Sequence, residues 1–289
     1  MKLKKKYKYM LLVLLFIGII LVSLFLWKGK YQNMKKDDNE DINYNPEPVY
    51  IDHMNEFNVV ESNYIEKYYE RYVAYKKLHS DYSDDTIITY VNIGLDRPFY
   101  TNMEDTDLSD GILVICNKYH LLKSNYVPDL VNLGGAYGGG QMQREAAEYF
   151  KKMVDAAKKD GIKLWNVSGY RSYYTQKTIY NNYVNRDGVS KADTYSARAG
   201  SSEHQTGLAS DINTASSSAH FENTKEYSWL IKNSYKYGFI LRYLKDKTFI
   251  TGYKYEPWHF RYVGVDAASI IHEKNITYEE YYVTYVMKG

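Results

Sequence analysis

From residue 9 to residue 27 the chain is apolar apart from Gly18 and Ser23, and lysines at 2, 4, 5, 6 and 8 precede this run. At about 1.5 Å rise per residue it spans about 28 Å as a helix, close to the hydrocarbon thickness of a bilayer. No small-x-small cleavage site closes it and no cysteine follows for a lipid anchor, so it reads as an uncleaved signal anchor rather than a removed signal peptide. Lysines at 28, 30, 35 and 36 weaken the charge asymmetry. The N-terminal placement still predicts a single-pass cell-membrane protein with its bulk extracytoplasmic. Residues 31 to 60 are polar, carry a mixed charge run at 35 to 41 and contain Pro46 and Pro48, a linker pattern.

Beyond the linker the pattern becomes globular. Residues 62 to 79 carry a helical repeat around Tyr64, Tyr68, Tyr72 and Tyr75, and residues 86 to 93 read as a strand. Residues 113 to 117 form a short apolar run. Residues 141 to 160 form an amphipathic helix with Ala146, Phe150, Met153, Val154 and Ala157 on one face and Gly161 at its end. Strands are expected at 164 to 167, 208 to 213, 239 to 243 and 259 to 263. Helices are expected at 173 to 186 and 225 to 237, with a Ser-, Ala- and Gly-rich loop over 187 to 203. The prediction is an α+β fold, a small central antiparallel sheet with flanking helices holding a zinc site, preceded by the transmembrane helix. Four regions follow: 1 to 30, the basic end and anchor; 31 to 60, the linker; 61 to 110, a small cap; and 111 to 289, the catalytic domain.

Composition narrows the chemistry. A formal charge of +2 over 289 residues gives no reason to expect a nucleic-acid partner. One cysteine, Cys116, excludes an intrachain disulfide and a cysteine cluster, so a metal site must draw on His, Asp and Glu. The 34 tyrosines are conspicuous but indicate no function. Gly134 to Gly140 is glycine-rich yet lacks the Lys-Ser/Thr of a phosphate loop.

Three segments carry candidate chemistry: Ser168-Gly-Tyr-Arg171-Ser172, Ser202-Glu-His204-Gln-Thr-Gly207-Leu-Ala-Ser-Asp211 and Glu256-Pro-Trp-His259. A catalytic zinc takes three protein ligands and leaves a fourth position open. His204, Asp211 and His259 could supply two imidazoles and a carboxylate. Period-two alternation puts Ala209 and Asp211 on one strand face, with a small side chain beside the carboxylate. Glu256, three residues before His259 and separated from it by Pro257, can lie beside a metal without ligating it, as a general base must. Each segment alone is common by chance; their joint occurrence in order after an export signal is not. The other histidines, His53, His79, His120, His220 and His272, lack such contexts and read as surface or structural residues.

The stretch from about Val91 to Val263 resembles the VanY-type D-alanyl-D-alanine carboxypeptidases, zinc peptidases of the bacterial wall. The resemblance rests on Val91 to Tyr100, Asn117-Lys with Tyr126 to Leu130, Ser168 to Ser172 with Gln176, Ser196 to Asp211, and Glu256 to His259. It implies one zinc per chain held by His204, Asp211 and His259, a base at Glu256, and substrate roles for Arg171, Gln176 and Ser202. Arg171 would bind either the developing oxyanion or the free carboxylate of the terminal D-alanine. Ala199, where the family often has proline, and Ser201, where an aromatic is common, bear on loop shape and substrate preference. The implied substrates are peptidoglycan stem peptides. An L,D-carboxypeptidase acting on tetrapeptide stems would use the same ligand set. A wall-binding module that has lost catalysis would lack a ligand or the base, and none is missing.

Overall fold

The computed structural model describes Phe57 and residues 63–287. The apolar run at 9 to 27 and, Phe57 apart, the linker at 31 to 60 lie outside the described residues. Among the described residues no helix is long and apolar enough to cross a membrane. Backbone contacts divide the chain after residue 51, so the cap expected over 61 to 110 belongs to the same unit as the catalytic region.

Two helices come first, α1 (Tyr69–Leu78) and α2 (Asp84–Ile93). The second corrects the strand expected over 86 to 93. Thr, Ile and Val favour strands, but the ends dictate a helix. The Ser83 hydroxyl accepts from Thr86 N–H, Asp84 and Asp85 fill the first turn, and Gly94 closes it at φ +100. Ile87, Ile88 and Val91 then fall on one buried face against Tyr72 and Phe57.

Short strands follow: β1 (Glu104–Asp105) pairs in parallel with β2 (His120–Leu121), and β3 (Leu130–Asn132) pairs antiparallel with β4 (Gln141–Gln143). Hence the long helix begins at 144 rather than 141. It is α3 (Arg144–Lys159), and the Gln143 side chain caps it by accepting from Ala146 N–H. Then come β5 (Trp165–Ser168), α4 (Tyr173–Asp187), the short α5 (Val189–Ala192) inside the expected loop, β6 (Ala209–Asn213), α6 (Lys225–Asn233), β7 (Phe239–Leu241), α7 (Thr248–Thr251), β8 (His259–Tyr262), α8 (Val265–Lys274) and α9 (Tyr278–Tyr285).

The central sheet has the order β5-β6-β8-β7, antiparallel throughout. Alternation along β8 decides the placement of the site. Phe260 and Tyr262 join Ile212 of β6 and Phe239 of β7 in a core against the α3 face of Ala146, Phe150, Met153 and Ala157. His259 and Arg261 therefore point to the opposite face. A second core, Ile240, Val263, Ala268, Ile271, Tyr278 and Val283, attaches α8 and α9.

Gly207 makes the turn into β6 possible. It has φ +70, and a Cβ there would lie 2.8 Å from the Gln143 backbone nitrogen, which donates to the Gly207 carbonyl. Gly207→Ala is expected to destabilise the fold by about 1–3 kcal/mol, because a left-handed conformation and a backbone clash coincide. Thermal unfolding of the variant checks this.

Candidate active site

The register of the sheet assembles the donors. Asp211 of β6 lies directly opposite His259 of β8, and Ser168 of β5 opposite Asp211, with a bulge between Asn166 and Ser168. One row across three strands thus carries Ser168, Asp211 and His259 on one face. His204 enters from the tight 3-10 turn Glu203–Thr206 that precedes β6. Its Nδ1 lies 2.7 Å from the Gly169 carbonyl, which can only accept, so Nδ1 carries the proton and Nε2 is free. Gly169 has no room for a side chain, since a Cβ would lie 2.4 Å from the Gln141 carbonyl oxygen.

The free faces of the three side chains converge. His204 Nε2 is 3.4 Å from Asp211 Oδ2, and His259 Nδ1 is 3.2 Å from Asp211 Oδ1. One donor atom from each of His204, Asp211 and His259 lies within 4.8 Å of the others. Asp211 Oδ1 is buried without a hydrogen bond, its approach to His259 being off-line. An orphaned carboxylate oxygen between two imidazoles with inward-facing nitrogens is the donor set a divalent metal fits.

The electrostatics agree. Burial opposes charge on Asp211, yet His204 and His259 hold its carboxyl well below the usual range. Burial pushes His204 down, towards the neutral ligand form. Burial also opposes the His259 cation, but Asp211, Glu203 and Glu256 raise it to about 9. A metal entering here displaces a proton from that ring. Glu256, with Oε2 3.7 Å from His259 Nδ1, behaves oppositely to Asp211: burial first, then the Asp211 charge, pushes it up to about 7. Two neighbouring carboxyls with separated pKa values divide naturally into a ligand and an acid–base group.

A cavity of about 480 Å³ opens in front of the donors. Arg171, Gln176, Ser202, Tyr243, Glu256 and Trp258 are among its lining residues. Arg171 donates to Ser168 Oγ (2.9 Å) and Gln176 Oε1 (2.7 Å), and its Nη2 lies 3.7 Å from Asp211 Oδ2. Gln176 is buried with its carboxamide engaged at both ends, since Nε2 donates to the Ala197 carbonyl (2.6 Å). Its position is that of a brace for Arg171. All seven residues singled out in the sequence thus meet at one cavity.

Sequence reasoning passed over three neighbours: Ser168 as a support for Arg171, Tyr243 packed at a tilt against His259 with 4.9 Å between ring centroids, and Glu203. The signal for Glu203 was its place inside the Ser-Glu-His segment. The remaining described histidines do not converge on this site: His79 packs between Tyr75 and Tyr82, His272 stacks on Tyr235, His120 packs near Tyr282, and His220 is exposed. Cys116 is buried and free.

An antiparallel sheet and the turn leading into it present two histidines and a carboxylate, with a second acid and a cavity before them, and this defines a hydrolytic enzyme centre. The family model described as VanY, D-alanyl-D-alanine carboxypeptidase, matches residues 139–265. A D-alanyl-D-alanine carboxypeptidase of Enterococcus faecalis is 36% identical over 190 residues, covering 63% of this chain and 69% of its own. The solved LdcB LD-carboxypeptidase is 43% identical at TM-score 0.59, covering 64% of this chain and 91% of its own. A zinc complex of a variant of the vancomycin-resistance D,D-pentapeptidase VanY is 36% identical at TM-score 0.52, covering 58% of this chain and 97% of its own. The chain belongs to the VanY family of D-alanyl-D-alanine carboxypeptidases.

Proposed function

We propose that this chain is a zinc-dependent D,D-carboxypeptidase that removes the C-terminal D-alanine from peptidoglycan stem peptides. The observation that carries the reading is the convergence of His204, Asp211 and His259 beside a buried Glu256 at one cavity. These three residues would hold one zinc per chain. When bound, zinc polarises the scissile carbonyl and makes water a stronger nucleophile near neutral pH.

The chain's own residues do the rest. Glu256 takes a proton from the attacking water and returns it to the leaving amine, which its raised pKa suits in both directions. Arg171, held by Ser168 and Gln176, supplies a fixed positive charge. Its position 3.7 Å from Asp211 puts that charge beside the metal donors and favours the oxyanion over the distant end of the substrate. Ser202 lines the cavity wall and would hold the terminal residue. The apolar run at 9 to 27 supports a tether that keeps the catalytic unit extracytoplasmic, on the side where stem peptides lie.

A second reading, L,D-carboxypeptidase activity on tetrapeptide stems, is favoured by the greater similarity to LdcB than to the VanY zinc complex in both identity and TM-score. Synthetic pentapeptide and tetrapeptide stems, with products followed by mass spectrometry, separate the two. Loss of one D-alanine from the pentapeptide is expected; cleavage of the tetrapeptide alone would replace the D,D reading with the L,D one.

A further inference from the structure

Beside His259 lies a buried charge cluster that the proposed reaction does not use, and one of its members, Glu203, also reaches the cavity wall. Glu203, Arg242, Arg261 and Glu279 are all essentially without solvent exposure. Two carboxylates face two guanidiniums, so the cluster is formally balanced. Arg242 donates bidentately to Glu279 of α9 (2.8 and 2.5 Å) and through Nε to Glu203 Oε1 (2.8 Å). Arg261 donates to the same Oε1 (3.0 Å), and its remaining donors reach the carbonyls of Ile112, Val114 and Tyr262.

Both arginines thus use one oxygen of Glu203 and leave the other. That oxygen, Oε2, faces His259 Nε2 at 3.4 Å. Oε1 accepts from two guanidiniums, which are permanent cations and can only donate, so Glu203 meets His259 as a carboxylate. A carboxylate can only accept, so His259 Nε2 must donate. In the neutral ring that a metal binds, the proton is thereby fixed on the nitrogen facing Glu203, which leaves the Nδ1 lone pair on the side of Asp211. A purely structural ion cluster would have no need to keep one carboxylate oxygen clear of both arginines and aim it at an imidazole.

We propose that Glu203 is a positioning residue that sets the tautomer and ring orientation of His259 for metal binding, and that Arg242, Arg261 and the α9 residue Glu279 hold Glu203 in place for that task. The inference rests on the metal-ligand reading of His259. Orienting partners of this kind are typically worth about 10–100-fold in metal affinity or activity.

Glu203→Gln tests it. An amide has one accepting and one donating end, so it cannot satisfy three donors and turns a donor towards either His259 or the arginines. The full chain is compared with wild type for zinc affinity by chelator competition, for the visible absorption of the cobalt-loaded protein, and for kcat and KM. The expected result is about 10–100-fold weaker zinc binding, an altered cobalt spectrum, and a fall in kcat with KM changed less than about threefold. If the buried arginines prevent this variant from folding, the charge-balanced double variant E203Q/R261Q takes its place. Zinc affinity within twofold of wild type in whichever variant folds overturns the proposal, as does failure of both to fold, which would make the cluster purely structural. Wild-type protein that takes up no zinc overturns the metal reading itself and the positioning role with it, an outcome separate from a variant that binds as wild type does.

Discussion

Glu256→Gln is expected to lower kcat by on the order of 10²–10⁴-fold, the usual contribution of a positioned general acid–base group, while zinc content stays at the wild-type level. The substitution keeps the size of the side chain and removes its capacity to accept a proton. Glu256 is not one of the converging donors: His204, Asp211 and His259 approach one another without it, and it approaches His259 only at 3.7 Å. Metal retention and loss of turnover should therefore separate cleanly. Its surroundings reinforce the point, because burial that raises the carboxyl to about 7 penalises the charged form, and the neutral amide escapes that penalty. The metal-free variant should be at least as stable as wild type. Measured zinc content together with initial rates of D-alanine release checks this; near-normal turnover would remove Glu256 from the base role.

His204→Ala is expected to lose stoichiometric zinc, and activity with it. Two donors would remain, and the Asp211 carboxylate would lose the imidazole that lies 3.4 Å from Oδ2. Ligand binding to the native state stabilises by about 4 kcal/mol at a thousandfold excess over Kd. Wild-type protein should accordingly gain thermal stability when zinc is added, and the variant should not. The readout is the zinc-dependent shift in unfolding temperature alongside metal content. An equal shift in both proteins would exclude His204 from the ligand set.

These residues were legible in the sequence because their chemistry is concentrated in short segments. His204 and Asp211 belong to one turn and strand, and Glu256 and His259 to one tight connection ending in β8. What could not be read was the register that joins them. The direct opposition of Asp211 and His259 depends on pairing between strands some fifty positions apart, and no local pattern states it. The same limit hid Glu203, whose partners Arg261 and Arg242 come from β8 and from the residue after β7, with Glu279 of α9 bound to Arg242 in turn.

Elsewhere local signals were present and outweighed. The β-branched residues of α2 pointed to a strand, although the Ser83 cap, the two aspartates after it and Gly94 marked both ends of a helix. The start of α3 moved because Gln141 to Gln143 pair with β3 before the helix begins, an event that requires a partner strand. The C-terminal helices were not foreseen, although Thr277 and Glu280 form a complete capping box at the start of α9. That helix matters to the site, for it brings Glu279 to Arg242.

The central claim, a metal-dependent carboxypeptidase centre built on His204, Asp211, His259 and Glu256, is tested most directly by D-alanine release from a synthetic pentapeptide stem. The full chain, purified in detergent, would be assayed zinc-loaded, after chelator treatment, and after zinc is restored. The prediction is release of one D-alanine per peptide by the loaded protein, loss of that activity with the chelator, and recovery with zinc. Release that the chelator leaves untouched, or none from protein that holds zinc, would contradict it.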